Sequence, residues 1–106
     1  SDAGHQPMVS ANGRYVIIYN GEVYNFKELR QQLEQLGHTF RGHSDTEIML
    51  TSFIQWGVEA SVKKFNGMFV FVVWDRRDRL LWLVRDRIGE KPLYYGVQNG
   101  TLFFCL

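Results

Sequence analysis

Hydrophobic and polar positions follow a different period in the two halves of the chain. Residues 14–19 (RYVIIY) are rich in β-branched and aromatic side chains and follow the turn-forming residues 11–13 (ANG). This combination predicts a strand that is entered through a hairpin. From residue 26 to residue 36 the apolar positions recur every three or four residues, which is the period of an amphipathic helix.

Two helices with clear start signals are predicted in this first half. Asn25 is expected to cap the first helix, with Glu28 completing a capping box. Ser44 is expected to cap the second helix in the same way with Glu47, ahead of a broad apolar face. A short helical stretch over residues 58–65 is predicted to follow.

The second half of the chain predicts consecutive β-hairpins. Residues 68–74 (MFVFVVW) and 80–84 (LLWLV) flank the polar turn 75–78 (DRRD), and residues 92–97 (PLYYGV) and 101–104 (TLFF) form a further hairpin. Both faces of the first hairpin are apolar, so its sheet is expected to be covered on both sides. A strand, then helices, then hairpins without βαβ alternation predicts an α+β fold with antiparallel sheet.

Composition excludes several classes of protein. The 106 residues, 45% of them hydrophobic, are enough to bury a core as a single domain. Twelve basic and eleven acidic residues give a net charge of +1 without a charged block, so no nucleic-acid surface is predicted. No apolar run reaches the length of a membrane span, and the polar beginning and single cysteine, Cys105, favour a cytoplasmic protein. The three histidines lack metal-ligand spacing, so no metal site is predicted.

A series of short motifs runs along the chain. They are residues 5–8 (HQPM), 19–26 (YNGEVYNF), 44–47 (SDTE), 66–69 (NGMF), and 86–95, where DRIG precedes KPLYY. In this order and spacing they resemble the glutaminase domain of glutamine-hydrolysing asparagine synthetases, a class II glutamine amidotransferase domain. The resemblance implies part of the N-terminal-nucleophile hydrolase fold, an αββα sandwich in which two antiparallel sheets lie between helical layers.

The resemblance also implies a glutamine pocket. Asn20, through its side-chain amide, and Gly21, through its backbone N–H, would form the oxyanion hole for amide hydrolysis. Glu22 and Asp45 would bind the cationic α-amino group of glutamine, with Asp45 favoured as a carboxylate in the first turn of its helix. Without the resemblance, Asn-Gly between β-rich runs fits an ordinary hairpin turn, and an acid at a helix start fits simple capping.

The nucleophile of the family, a cysteine at the first position of the mature chain, has no counterpart here. Residue 1 is Ser1, and residues 1–4 lie directly before the 5–8 motif, whereas Cys105 lies at the other end of the chain. Residues 1–106 are therefore expected to be a partial domain that lacks its N-terminal strands and nucleophile and is inactive alone. The exposed sheet edges and apolar surface of such a piece predict a homo-oligomer, a strand-swapped assembly or poor solubility.

The parent enzyme implied by the resemblance hydrolyses glutamine to supply ammonia for the ATP-dependent amidation of aspartate. Its synthetase domain is the expected partner, and ATP and Mg²⁺ would belong to that domain, because these residues contain no glycine-rich pyrophosphate loop and no cofactor is expected in them. Other interpretations remain open. They are a non-catalytic glutamine-binding or structural module, a relative that has lost the glutaminase cysteine, and an enzyme that amidates another acceptor.

Overall fold

The computed structural model describes residues 7–87 and 90–105, without the side chains at positions 87, 90 and 103–105. Ser1, residues 88–89 of the DRIG motif and the side chain of Cys105 therefore lie outside the described residues. The element bounds are β1 Met8–Val9, β2 Tyr15–Val23, α1 Phe26–Gln35, α2 Asp45–Trp56, α3 Val58–Lys64, β3 Gly67–Asp75, β4 Leu80–Arg87, β5 Glu90–Gln98 and β6 Thr101–Cys105.

The described strands form one antiparallel sheet in chain order, β1-β2-β3-β4-β5-β6. The three helices are inserted between β2 and β3, which are nevertheless direct neighbours in the sheet. The predicted α+β class and the predicted order of strand, helices and hairpins are confirmed.

The core lies between the helices and one face of the sheet. Phe53 of α2 is fully buried there, with ring centroids 5.7 Å from Tyr15 and 5.8 Å from Phe71. Because successive strand residues point to opposite faces, alternate positions of β2 and β3 supply the sheet side of this core. These positions are Tyr15, Ile17, Tyr19, Val23, Phe69, Phe71 and Val73.

The opposite face of the sheet, called here the open face, is not covered by the described residues. Ile18 is 57% exposed, Met68 55% and Val70 48%. The prediction that the sheet is covered on both sides therefore holds for one face only in this part of the chain. The physical reason is that all three helices lie in one connection between two neighbouring strands, so they pack together on one side.

The starts of the two longer helices differ from each other. The Ser44 hydroxyl caps α2 as predicted, since it accepts the Glu47 N–H at 3.2 Å. The predicted capping box is not completed, because the Glu47 carboxylate accepts the N–H groups of Arg41 and Gly42 instead of that of Ser44. The N-cap residue of α1 is Asn25, but the predicted capping hydrogen bond is wrong. Its side-chain amide donates to the Lys64 carbonyl oxygen at 2.8 Å and accepts from the Asn66 N–H at 2.9 Å. A tertiary contact with the segment between α3 and β3 has replaced the local cap.

Arg14 and Asp75 join the two turns at the end of the sheet where β2 begins. The guanidinium donates to both carboxylate oxygens, at 2.8 and 2.7 Å, and Asp75 Oδ1 also accepts the N–H groups of Arg77 and Asp78. Burial alone raises the pKa of Asp75, but the Arg14 hydrogen bond, the Arg14 charge and the backbone N–H donors outweigh burial and lower that pKa.

Candidate functional site

Asn20, Gly21 and Glu22 lie together near the end of β2, paired with Val70, Phe69 and Met68 of β3. Asn20 and Glu22 are exposed, and the alternation of the strand places them on the open face. The neighbouring residues Tyr19 and Val23 are buried on the helical side. The Asn-Gly pair is thus part of a continuous paired strand, and the simple hairpin-turn alternative is wrong.

Gly21 occupies a point where the strands approach closely. Its φ of +126° favours glycine, and a Cβ atom there would overlap the carbonyl oxygen of Met68. Its partner Phe69 donates its N–H to Asp86 Oδ1 on β4 at 2.8 Å. In an antiparallel strand, the N–H and C=O of one residue point to the same side. Because the Phe69 N–H points toward β4, Phe69 exchanges no backbone hydrogen bonds with Gly21, and the two residues form a non-hydrogen-bonded pair. The Gly21 N–H therefore points to the side of β2 away from β3.

Asp45 is the first residue of α2 and lies against the end of β2. Its Oδ2 atom accepts a hydrogen bond from the Tyr19 hydroxyl at 3.3 Å and a longer one from the Val23 N–H at 3.5 Å. Val23 is two residues beyond Gly21, so both N–H groups point to the same side of the strand. The structure therefore brings Asp45 to the side of β2 toward which the Gly21 N–H is directed.

The loop before Asp45 is fixed by two side chains from the flanking helices. The Glu47 carboxylate accepts the N–H groups of Arg41 at 2.7 Å and Gly42 at 3.0 Å. Arg30 of α1 donates to the Gly42 carbonyl oxygen at 3.0 Å. Glu47 therefore does more than start the helix, because it holds the loop from which Asp45 emerges.

Two residues at this site were missed in the sequence. Tyr19 contacts Asp45, and its pKa is raised first by burial, then by the charge and hydrogen bond of Asp45 and by the charge of Glu22. The alternation of β2 predicts that Tyr19 is buried, but it carries no signal for the contact with Asp45. Gly67 was also missed, although the NGMF motif contains it, and a Cβ atom there would overlap the Glu22 carbonyl oxygen.

Two surface clefts lie away from these residues. One has a volume of about 490 Å³ and lies between Trp56, Lys63 and Trp82, and the other, of about 430 Å³, is lined by Arg14, Arg76 and neighbouring turn residues. Both include Arg14, at the start of β2, whereas Gly21 lies near its end.

Within residues 7–87 and 90–105, no helix combines the length and apolar character needed to cross a membrane.

The chain matches the glutamine amidotransferase domain family over residues 1–105. It is 44% identical over 105 residues to the glutamine-hydrolysing asparagine synthetase 3 of Bacillus subtilis (strain 168). The aligned region covers 97% of this chain and 17% of that protein. It is 39% identical over 104 residues to the glutamine-hydrolysing asparagine synthetase 3 of Arabidopsis thaliana, and here the aligned region covers 97% of this chain and 18% of that protein.

The fold is similar to that of the glutamine phosphoribosylpyrophosphate amidotransferase from B. subtilis. The TM-score is 0.72 over 92% of this chain and 30% of that chain, and the sequence identity is 17%. At this identity the similarity concerns the fold alone. The chain spans less than one fifth of the length of the synthetases above, at 17% and 18%. Because the family match extends over nearly all of its residues, the chain belongs to the glutamine amidotransferase domain family.

Proposed function

We propose that these residues form the glutamine-binding part of a glutaminase domain in an asparagine synthetase-type enzyme. The observation that carries the proposal is that the Gly21 N–H and the Asp45 carboxylate lie on the same side of β2. One is a hydrogen-bond donor for a developing oxyanion, and the other is an anion for an ammonium group. Glutamine has a carboxamide at one end and an α-ammonium group at the other.

The spacing of these two groups suits glutamine. Gly21 and Val23 are two residues apart on a strand, so their nitrogen atoms are separated by about 7 Å. In extended glutamine, four bonds separate the α-nitrogen from the carboxamide carbon, a span of about 5 Å. A bound molecule could therefore place its ammonium group beside Asp45 and its carboxamide oxygen near the Gly21 N–H.

Asn20 and Glu22 would complete the pocket from the open face. In the proposed mechanism the Asn20 side-chain amide and the Gly21 N–H donate to the same oxyanion, which stabilises the tetrahedral intermediate of amide hydrolysis. Glu22 would share the α-ammonium group with Asp45. The charges of both carboxylates act on Tyr19, which supports their closeness to one another.

The nucleophile is proposed to come from outside these residues. Cys105 ends β6, and four strand-to-strand steps separate β6 from β2 in the sheet. At roughly 4.8 Å for each step, the two strands are about 19 Å apart. Position 105 is therefore remote from Asn20 and Gly21 along the sheet, and the proposal assigns it no part in the attack on a carboxamide bound there. The catalytic cysteine would belong to N-terminal strands that complete the partial domain.

The remainder of the proposal concerns the whole protein. The relatives are longer chains that are named glutamine-hydrolysing asparagine synthetases. We propose that ammonia from glutamine passes to a synthetase domain, where ATP and Mg²⁺ support the amidation of aspartate, and that the enzyme is cytoplasmic. The described residues would hold no cofactor of their own.

The test measures glutamate and ammonia release by the full-length protein that carries this chain. We expect hydrolysis of glutamine, and we expect Asp45→Asn to raise the KM for glutamine by about tenfold while ammonia-dependent amidation is unchanged. Asp78→Asn, at an exposed aspartate of the β3–β4 turn, is the control. Glutamine binding without turnover would favour the non-catalytic module, and an unchanged KM in Asp45→Asn would contradict the proposed pocket.

A further inference from the structure

Tyr19 connects the core to the carboxylate of Asp45. Its ring is buried on the helical side of β2, 9% exposed, and its hydroxyl donates to Asp45 Oδ2 at 3.3 Å. The Val23 N–H reaches the same oxygen atom at 3.5 Å. Two donors from one strand that meet on one oxygen, at the long end of the hydrogen-bond range, orient the carboxylate.

This arrangement distinguishes the two oxygen atoms of Asp45. Among the residues that the structure describes, both hydrogen bonds to this side chain end on Oδ2. The phenol is a donor at neutral pH, since an ordinary tyrosine ionises only at about pH 10, and burial and then the charge of Asp45 raise the pKa of Tyr19 further. The Oδ1 atom is therefore held in one orientation and keeps its capacity to accept hydrogen bonds.

We propose that Tyr19 is a positioning residue that holds Asp45 so that Oδ1 accepts the α-ammonium group of glutamine. The inference rests on the proposed function, in which Asp45 binds that group. It adds a determinant of specificity, since the Tyr19 hydroxyl would favour amides that carry an α-ammonium group over amides that lack one. Tyr19 itself would touch neither the substrate nor the reacting atoms.

The experiment compares two tyrosines of the same strand. Tyr19→Phe removes the hydroxyl and keeps the ring. Tyr15→Phe is the matched control, because Tyr15 is buried on the same face of β2, at the end of the strand away from Asp45. Both variants are prepared in the full-length protein and assayed with glutamine and with glutaramate, which is glutamine without its α-amino group. The measured quantity is kcat/KM for glutamine divided by kcat/KM for glutaramate.

We expect Tyr19→Phe to lower this ratio by about fivefold, through the KM for glutamine and with kcat nearly unchanged. Tyr15→Phe should leave the ratio unchanged. Asp45→Asn should lower it by about tenfold, and adding Tyr19→Phe to Asp45→Asn should lower it no further, because the hydroxyl acts through the carboxylate.

Three other results would each overturn the role proposed for Tyr19, the proposed function, or both. Equal losses on both substrates, with a lower melting temperature, would assign Tyr19 a structural role and overturn the inference. An unchanged ratio in Tyr19→Phe, beside a reduced ratio in Asp45→Asn, would overturn the role of Tyr19 and leave the proposed function in place. A wild-type protein without glutaminase activity, or an unchanged ratio in Asp45→Asn, would overturn the proposed function and this inference together.

Discussion

Gly21 and Gly67 each occupy a position where the backbone of the facing strand leaves no room for a Cβ atom. A Cβ at Gly21 would overlap the Met68 carbonyl oxygen, and a Cβ at Gly67 would overlap the Glu22 carbonyl oxygen. The close approach of β2 and β3 at this end of the sheet therefore depends on both glycines. Gly67 supports the proposed pocket without contributing a side chain to it.

Gly67→Ala should separate the strands at this point and lower the free energy of unfolding by about 2–3 kcal/mol, since neither backbone can move without disturbing the ladder. Urea denaturation of the full-length protein measures this loss. Gly42→Ala is the control, because the nearest atom to a Cβ there is Glu47 Oε1 at 3.8 Å. Equal effects of the two substitutions would contradict the steric argument.

Asn20→Ala should lower kcat for glutamine hydrolysis by about a hundred- to a thousandfold, because it removes a donor to an oxyanion that exists only near the transition state. Its side chain is exposed on the open face, so the melting temperature should change little. Ammonia-dependent amidation by the parent enzyme is the internal control and should be preserved. A variant that melts early and loses both activities in parallel would return Asn20 to a purely structural role.

The stability of the fold should decline in alkali because of Tyr19. Its pKa is raised in the folded state above the ordinary value of about 10, so its contribution to stability is complete below pH 10 and is lost as the pH rises above it. Between pH 10 and 11 the free energy of unfolding of the wild type should fall by about 1 kcal/mol more than that of Tyr19→Phe. Denaturant titrations across this range test the difference, and parallel curves for the two proteins would refute it.

Asp75 should make the fold sensitive to acid. Its pKa is lowered in the folded state, so its contribution to stability is present above the unfolded value of about 4 and is lost as the pH falls through the folded value. Asp75→Asn should therefore lower the free energy of unfolding at pH 7 by about 3 kcal/mol. The difference in the free energy of unfolding between Asp75→Asn and the wild type should become smaller below pH 4. Asp78→Asn, whose side chain is 48% exposed, should have a small effect at every pH.

The open face should cause the isolated 106-residue chain to associate. Sedimentation should detect oligomers of the wild type and a shift toward monomer in Ile18→Lys, since a charge at this 57% exposed position opposes apolar contact. Leu36→Lys is the matched control, because Leu36 is 54% exposed but follows α1 on the helical side. A wild-type chain that stays monomeric at all concentrations would contradict this prediction.

The failures of sequence interpretation share one physical origin. The cap at Ser44 was predicted correctly because it joins residues three positions apart, at 3.2 Å. The cap at Asn25 was predicted wrongly because its side chain bonds to Lys64 and Asn66, which are 39 and 41 residues away. A local pattern contains the first kind of partner and not the second. The contact of Tyr19 with Asp45 spans 26 residues and was missed for the same reason.

The sequence by itself determined the elements, their order and the antiparallel class, because hydrophobic period, turn residues and β-branched runs act within a few residues. It also carried the motifs by which the chain resembles its family. Only the tertiary structure decided that the helices cover one face of the sheet, that Gly21 and Gly67 bring two strands together, and that Asp45 meets β2 through Tyr19 and Val23. These features depend on groups far apart in the chain, whose meeting is set by the packing of the whole sheet against its helices.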